Sequence, residues 1–193
     1  MTNWNEGFQR KLLDPNRAAK DPGGENTPDF PSYFISDAVP MAPAGWALRV
    51  GGLLDRPGVL SLDELRKLPR TDIRVRHHCV EGWSAVASWH GVALHDLAAH
   101  VGADPKAPYV EFRSFDNGYY SSWDRESALH PQTILAYGRN GAELTPEYGA
   151  PLRLYASVKL GYKMVKYLTE VNFLPTRTGG YWEDQGYEWF AGV

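Results

Sequence analysis

Arg74-Val75-Arg76-His77-His78-Cys79-Val80-Glu81-Gly82-Trp83-Ser84-Ala85-Val86-Ala87-Ser88-Trp89 holds the only cysteine of the chain, Cys79. Ile73, Val75, His77 and Cys79 alternate with Arg74, Arg76, His78 and Val80, which is the period of a strand rather than of a helix. Cys79 is therefore expected at a strand end, before a turn that Gly82 permits. Arg74, Arg76, His77 and His78 would lower its pKa if their side chains turned towards it, and a thiolate is both a strong nucleophile and a soft metal ligand. Against this stands the ordinary reading of a lone cysteine, a small buried hydrophobe.

Working outward, Trp46 to Val50 reads as a short strand ending at Gly51-Gly52, and Arg56-Pro57-Gly58 as a turn. Ser61-Leu62-Asp63-Glu64 is a capping box, with Leu60 and Leu65 at the staple positions and Pro69 closing the helix. Leu94, Leu97, Ala98 and Val101 recur at helical spacing, and Gly102 stands where a helix end wants a left-handed residue. Pro108 to Phe115 alternates, Asp116-Asn117-Gly118 breaks it, and Tyr119 to Trp123 is expected to pair back. Thr133 to Tyr137 and Ala142 to Leu144 flank Asn140-Gly141, a strong signal for a tight hairpin. Leu152 to Val158 and Val165 to Phe173 are further strands around Gly161. Many strands, few short helices and no regular βαβ alternation give the α+β class. Residues 1–31, with Pro15, Pro22, Gly23, Gly24, Pro28 and Pro31 among polar residues, read as an extended arm wrapping the surface of a domain over 32–193.

With 193 residues, 43% of them hydrophobic, the chain can bury one sizeable core. A net charge of −3 gives no basic field for nucleic acid. One cysteine excludes an intrachain disulfide, a Cys₄ zinc site and a cysteine-held iron–sulfur cluster, and no Cys-x-x-Cys-His marks covalent haem. No apolar run is long enough for a signal-peptide core or a membrane span, so a cytoplasmic protein is expected, or a periplasmic one if an export signal has been removed.

His90, His95 and His100 are five apart, turned by about 140° each on a helix, and do not converge. No His-Glu-x-x-His is present, which argues against a zinc hydrolase. A cysteine hydrolase built on Cys79 stays open, although none of the local signatures of such nucleophiles appears. The cations Arg153, Lys159, Lys163 and Lys166 read first as a solvated face. Yet Arg153 follows Gly149-Ala150-Pro151 and Lys163 follows Gly161-Tyr162, and cations beside a glycine turn are placed well for a phosphate. The aromatic C-terminus, Tyr181-Trp182 and Tyr187 to Phe190, is expected to pack on the core.

Together, His78-Cys79-Val80-Glu81-Gly82-Trp83-Ser84, Trp89-His90-Gly91-Val92, Gly149-Ala150-Pro151-Leu152-Arg153-Leu154 and Gly161-Tyr162-Lys163 resemble the sulfite oxidase superfamily of molybdopterin enzymes in residues, order and spacing, from about Thr27 to Phe173. The resemblance implies a mixed, sheet-rich α+β molybdopterin-binding domain, without the C-terminal immunoglobulin-like domain of the sulfite oxidases. It implies molybdenum-molybdopterin as cofactor and Cys79 as its thiolate ligand and catalytic residue. It further implies that Arg153, Gly161, Tyr162 and Lys163 hold the pterin phosphate, that Ser114 and His78 lie near the cofactor, and that Tyr33 and Phe34 cover the pterin. Two departures matter. Sulfite oxidases have arginines where Ser36 and Glu81-Gly82-Trp83-Ser84 stand here, and a carboxylate beside the metal would repel a dianion. Cys79-Val80-Glu81-Gly82-Trp83 is closer to the bacterial branch that reduces sulfoxides. The expectation is oxygen-atom transfer, with reduction of an S-oxide or N-oxide, small or protein-bound. Electrons would come from a separate haem protein, flavin or quinone system. Sulfite oxidation is the alternative, and a non-catalytic cofactor carrier the alternative of another class.

Overall fold

The structure, a computed structural model, describes residues 4–12, 14, 17–28 and 30–193, without the side chains of residues 4, 5 and 12. Two sheets share one core. The first runs β2 (Gly58–Leu60), β1 (Leu48–Gly52), β10 (Leu168–Leu174), β5 (Tyr109–Ser114), β6 (Tyr120–Asp124), with β1 and β10 parallel and the other pairs antiparallel. The second runs β3 (Arg70–His78), β4 (Ser84–Ala93), β7 (Thr133–Arg139), β8 (Ala142–Glu143), and β9 (Arg153–Ala156) also pairs with β7.

Alternation explains which face goes where. Leu135, Tyr137 and Leu154 of the second sheet meet Val50, Phe112, Trp123 and Val171 of the first, with α3 (Leu94–Val101) packed into the same cluster. The intervening residues Ile73, Val75, Ala87, Trp89, Ile134, Ala136 and Tyr155 form a second cluster on the opposite face, capped by Phe30 and Met164. A sheet buried on both faces needs apolar residues at consecutive positions, and β7 has them from Ile134 to Gly138.

Local signals act as their chemistry requires. Ser61 and Glu64 close the reciprocal capping box of α2 (Leu62–Leu65), and Gly102 ends α3 at φ 67°. Asn140 and Gly141, at φ 50° and 82°, make the two-residue turn between β7 and β8.

The N-terminal segment differs from the fully extended arm expected of residues 1–31. It contains α1 (Trp4–Leu12), while Pro15 lies outside the described residues. The helix finds partners at the C-terminus of the chain. Gly192 donates to Gln9 Oε1 at 3.1 Å, the Arg10 guanidinium lies 4.9 Å from the Phe190 ring centre, and Arg177 pairs with Glu6 at 3.2 Å. Beyond it the chain runs without regular structure across the second sheet. Ala19 exchanges two hydrogen bonds with Gln132, Arg74 donates to Gly24 O at 2.6 Å, and Thr27 N donates to Val86 O at 2.8 Å. Tertiary contacts supply the helix with what its polar sequence lacks.

Candidate active site

The hairpin joining β3 to β4 is closed by Cys79 N donating to Trp83 O at 3.0 Å, with Gly82 at φ 89°. It carries Cys79 to the edge of a cavity of about 360 Å³ lying where the two sheets, the segment 30–35, the turn Gly161–Lys163 and the C-terminal stretch meet. Tyr33, Phe34, Cys79, Ser114, Arg153, Gly161 and Tyr162 all line it. His78 and Lys163 do not.

Both departures have simple causes. Strand parity puts His77 on the same face as Ile73 and Val75, so His77 is buried in the cavity wall and His78 points outward. His77 Nδ1 lies 3.1 Å from the Tyr155 hydroxyl, and its ring stacks on Trp83 with centres 5.3 Å apart. Burial, then the charges of Arg153 and His78, push its pKa down to about 3, so it is a neutral imidazole. Lys163 is expected at the phosphate, but its side chain is wholly buried on the other side of its turn. Its ammonium donates to Ser122 O at 2.9 Å and pairs with Glu183.

The cation that does face the cavity beside Arg153 is Lys166. Tyr167, a non-glycine residue at φ 55°, follows it. Arg153 is buried, its guanidinium 4.8 Å from the Trp89 ring centre, and it donates to Tyr148 O at 3.1 Å. Lys166 Nζ donates to Ser32 Oγ, Tyr33 O and Glu147 O at 2.6–2.8 Å. Neither forms an ion pair among the described residues. Burial lowers the pKa of Arg153 to about 10. Burial, then Arg153, lowers that of Lys166 to about 7. A buried and a half-buried cation near each other, neither in an ion pair, suit an anion that would fill the deficit.

Beside Cys79 the wall is acidic. Glu81 accepts from Trp83 Nε1 at 3.1 Å and lies 3.9 Å from Cys79 Sγ. Its hydrogen bond to the Tyr33 hydroxyl is the main reason the Tyr33 pKa rises. The expectation that Arg74, Arg76, His77 and His78 lower the Cys79 pKa is corrected. Burial, with the Glu81 charge, pushes the thiol up, while Arg74 is engaged by Asp21 and the arm, and Arg76 donates to Ser84 at 3.4 Å.

These features fit a phosphate-bearing metal-dithiolene group. The cavity has one thiol, two cations that form no ion pair among the described residues, and aromatic walls. At Gly161 a side chain would collide with His77, since a Cβ there would lie 2.4 Å from Nε2. His77, Asp116, Tyr119 and Lys166 lie outside the motifs that predict site residues, although the alternation through Cys79 already places His77 on its face. Asp116 reads as a turn residue and Lys166 as one charge of a cluster. No group of three or more His, Cys, Asp or Glu side chains able to hold a metal is found among the described residues.

Residues 36–182 match the family described as the oxidoreductase molybdopterin binding domain. The chain is 43% identical, over its whole length and 74% of the relative, to the putative protein-methionine-sulfoxide reductase subunit YedZ1 of Azospira oryzae. It is 37% identical over 72% of its length to the protein-methionine-sulfoxide reductase catalytic subunit MsrP of Xanthomonas axonopodis pv. citri, of which it spans 48%. The uncharacterized oxidoreductase YuiH of Bacillus subtilis is 33% identical over 92% of this chain and 90% of its own. Among solved structures, the sulfane dehydrogenase SoxCD of Paracoccus pantotrophus superposes with a TM-score of 0.65 at 22% identity. That match covers 74% of this chain and 40% of the other, a likeness of fold. The chain belongs to the molybdopterin oxidoreductase family, as a sheet-rich α+β molybdopterin-binding enzyme.

Proposed function

We propose that this protein reduces an S-oxide, of the kind found in oxidised methionine, at a molybdenum-molybdopterin cofactor bound in the cavity of Cys79. Arg153 and Lys166 would hold the phosphate, with Ser114, Gly161 and Tyr162 around the pterin and Tyr33 and Phe34 covering it. Cys79 would be the protein's thiolate ligand, a role that requires the thiol to lose its proton on metal binding despite its raised pKa. Molybdenum held there supplies two-electron oxygen-atom transfer, which no side chain offers. The substrate oxide takes two electrons and two protons and leaves as the sulfide and water.

Glu81 is the observation that carries the choice of substrate. It puts a carboxylate at the cavity wall 3.9 Å from Cys79 Sγ, held towards Tyr33 and Trp83. A dianion such as sulfite meets repulsion there, whereas a neutral sulfoxide does not. Relatives named as methionine-sulfoxide reductase subunits support the reading. Their designation as subunits also supports a separate electron-donating partner, a haem protein, flavin or quinone system. No described helix is long and apolar enough to cross a membrane.

The test uses one preparation of known molybdenum content. Reduced viologen should drive turnover of methionine sulfoxide, while sulfite with ferricyanide should give little. Rapid sulfite-dependent ferricyanide reduction without sulfoxide turnover would reverse the assignment.

A further inference from the structure

Phe30 to Ser36 cross the cavity as a strap that belongs to neither sheet, and six of these seven residues line it. No backbone–backbone hydrogen bond holds residues 30–42 among the described residues. The strap is held by hydrogen bonds that each involve a side chain. The Tyr148 hydroxyl donates to Phe30 O at 3.0 Å, Lys166 donates to Tyr33 O at 2.7 Å, and Ser32 donates to Glu147 O. Its far end is held by one group. Asp116, a buried carboxylate, accepts from Ile35 N at 2.9 Å, from Ser36 N at 3.1 Å and from the Ser36 hydroxyl.

Asp116 is itself fixed. It sits in the turn between β5 and β6, where its amide donates to Ser114 Oγ at 2.8 Å and its carbonyl accepts from Tyr119 N at 2.8 Å. Ser114 and Tyr119 also line the cavity. A single hydrogen-bonded turn therefore presents a cavity hydroxyl on one side and clasps the strap on the other. A segment tied only by side chains can be released without breaking a sheet, so its closure depends on those few bonds.

We propose that Asp116 is a positioning residue that latches Phe30–Ser36 over the cavity and so sets how long a bound molybdenum cofactor is retained. The proposal rests on the cofactor reading given above. The carboxylate satisfies three donors at once, and charge-assisted hydrogen bonds of this kind are stronger than neutral ones. Removing them frees the strap end that carries Phe34 and Ile35, the stretch nearest the turn.

Asp116→Ala, Asp116→Asn and Ser36→Ala are compared with the parent chain by hydrogen exchange of residues 30–38 and by the rate at which molybdenum is lost on dilution. Asp116→Ala should lose protection at Ile35 and Ser36 and release molybdenum roughly ten- to hundredfold faster. Asp116→Asn should be intermediate. Ser36→Ala, which removes one donor and leaves the turn intact, should speed release roughly two- to tenfold, and it carries the test if the Asp116 variants fail to fold. Loss of protection with unchanged release overturns the latch. Unchanged protection in Ser36→Ala and Asp116→Asn alike also overturns it. A parent chain that holds no molybdenum overturns the cofactor reading and with it the retention role, an outcome distinguished from failure of the latch because exchange at Ile35 and Ser36 is read without cofactor.

Discussion

Lys163 and Lys166 lie three residues apart, and their surroundings make them opposites. Lys163 is wholly buried against Glu183 and Ser122 O, and its neighbour Lys159 against Asp124 at 3.2 Å and Phe190 O at 2.6 Å. These pairs pin the C-terminal stretch, including Trp182 of the cavity wall, onto β6. Lys166 donates to a hydroxyl and two carbonyls and forms no ion pair among the described residues, and Arg153 beside it has carbonyls and ring faces. A buried cation ion-paired to its carboxylate is closed structure, whereas cavity-facing cations outside any ion pair can still take up an anion. The same clustered sequence produced both.

Four measurements would sharpen or break this contrast. The largest effect should be on turnover: Cys79→Ser should abolish it while stability changes by only about 0.5 kcal/mol, since the thiol is half-buried at a cavity edge. Full activity in that variant would detach the cavity from the chemistry. Next, Lys163→Ala strands the Glu183 carboxylate in the interior and should cost about 3–5 kcal/mol, a fall in thermal midpoint of roughly 6–20 °C. A midpoint that stayed put would place Lys163 among the free cations after all.

Arg153→Ala removes a cation that no carboxylate needs. Its main effect should be on the metal content after dialysis, lower by roughly ten- to hundredfold in affinity, from a contact worth about 1.5–3 kcal/mol. Undiminished metal content would show that the phosphate lies elsewhere.

The smallest effect concerns pH. The Lys166 ammonium has its folded pKa pushed down to about 7, chiefly by burial, so between about 7 and the ordinary lysine value the unfolded chain holds more protons than the folded one. Stability therefore rises with pH across that window. Lys159, also lowered to about 7, contributes with the same sign, so Lys166→Met should flatten the rise only in part. Anion retention runs the other way. It should weaken as pH climbs above about 7 in the parent chain, and depend less on pH in Lys166→Met. Denaturant titrations and molybdenum release at several pH values read the two signs separately.

Much of the fold was legible because its signals are local. The capping box at Ser61, the left-handed Gly102 and the Asn140-Gly141 turn each answer to a few neighbouring backbone groups, so the residues alone specify them. α1 was not legible, because its partners Phe190 and Gly192 lie at the other end of the chain. In the site, alternation through Ile73, Val75, His77 and Cys79 already placed His77 with the thiol, and that parity, rather than the motif that suggested His78, decided the matter.

The α+β class, the strand that delivers Cys79, the glycine turns and the motifs that identify the family are all written in the residues. Each is set by period, backbone conformation or residue type within a short span. Folding decided which cation faces the cavity, that burial and then Glu81, rather than a basic residue, act on Cys79, and that Asp116 reaches across eighty residues to the strap. Charge is legible in a sequence. Whether a charge has a partner depends on distances of 3–4 Å between residues far apart in the chain, and folding alone sets those.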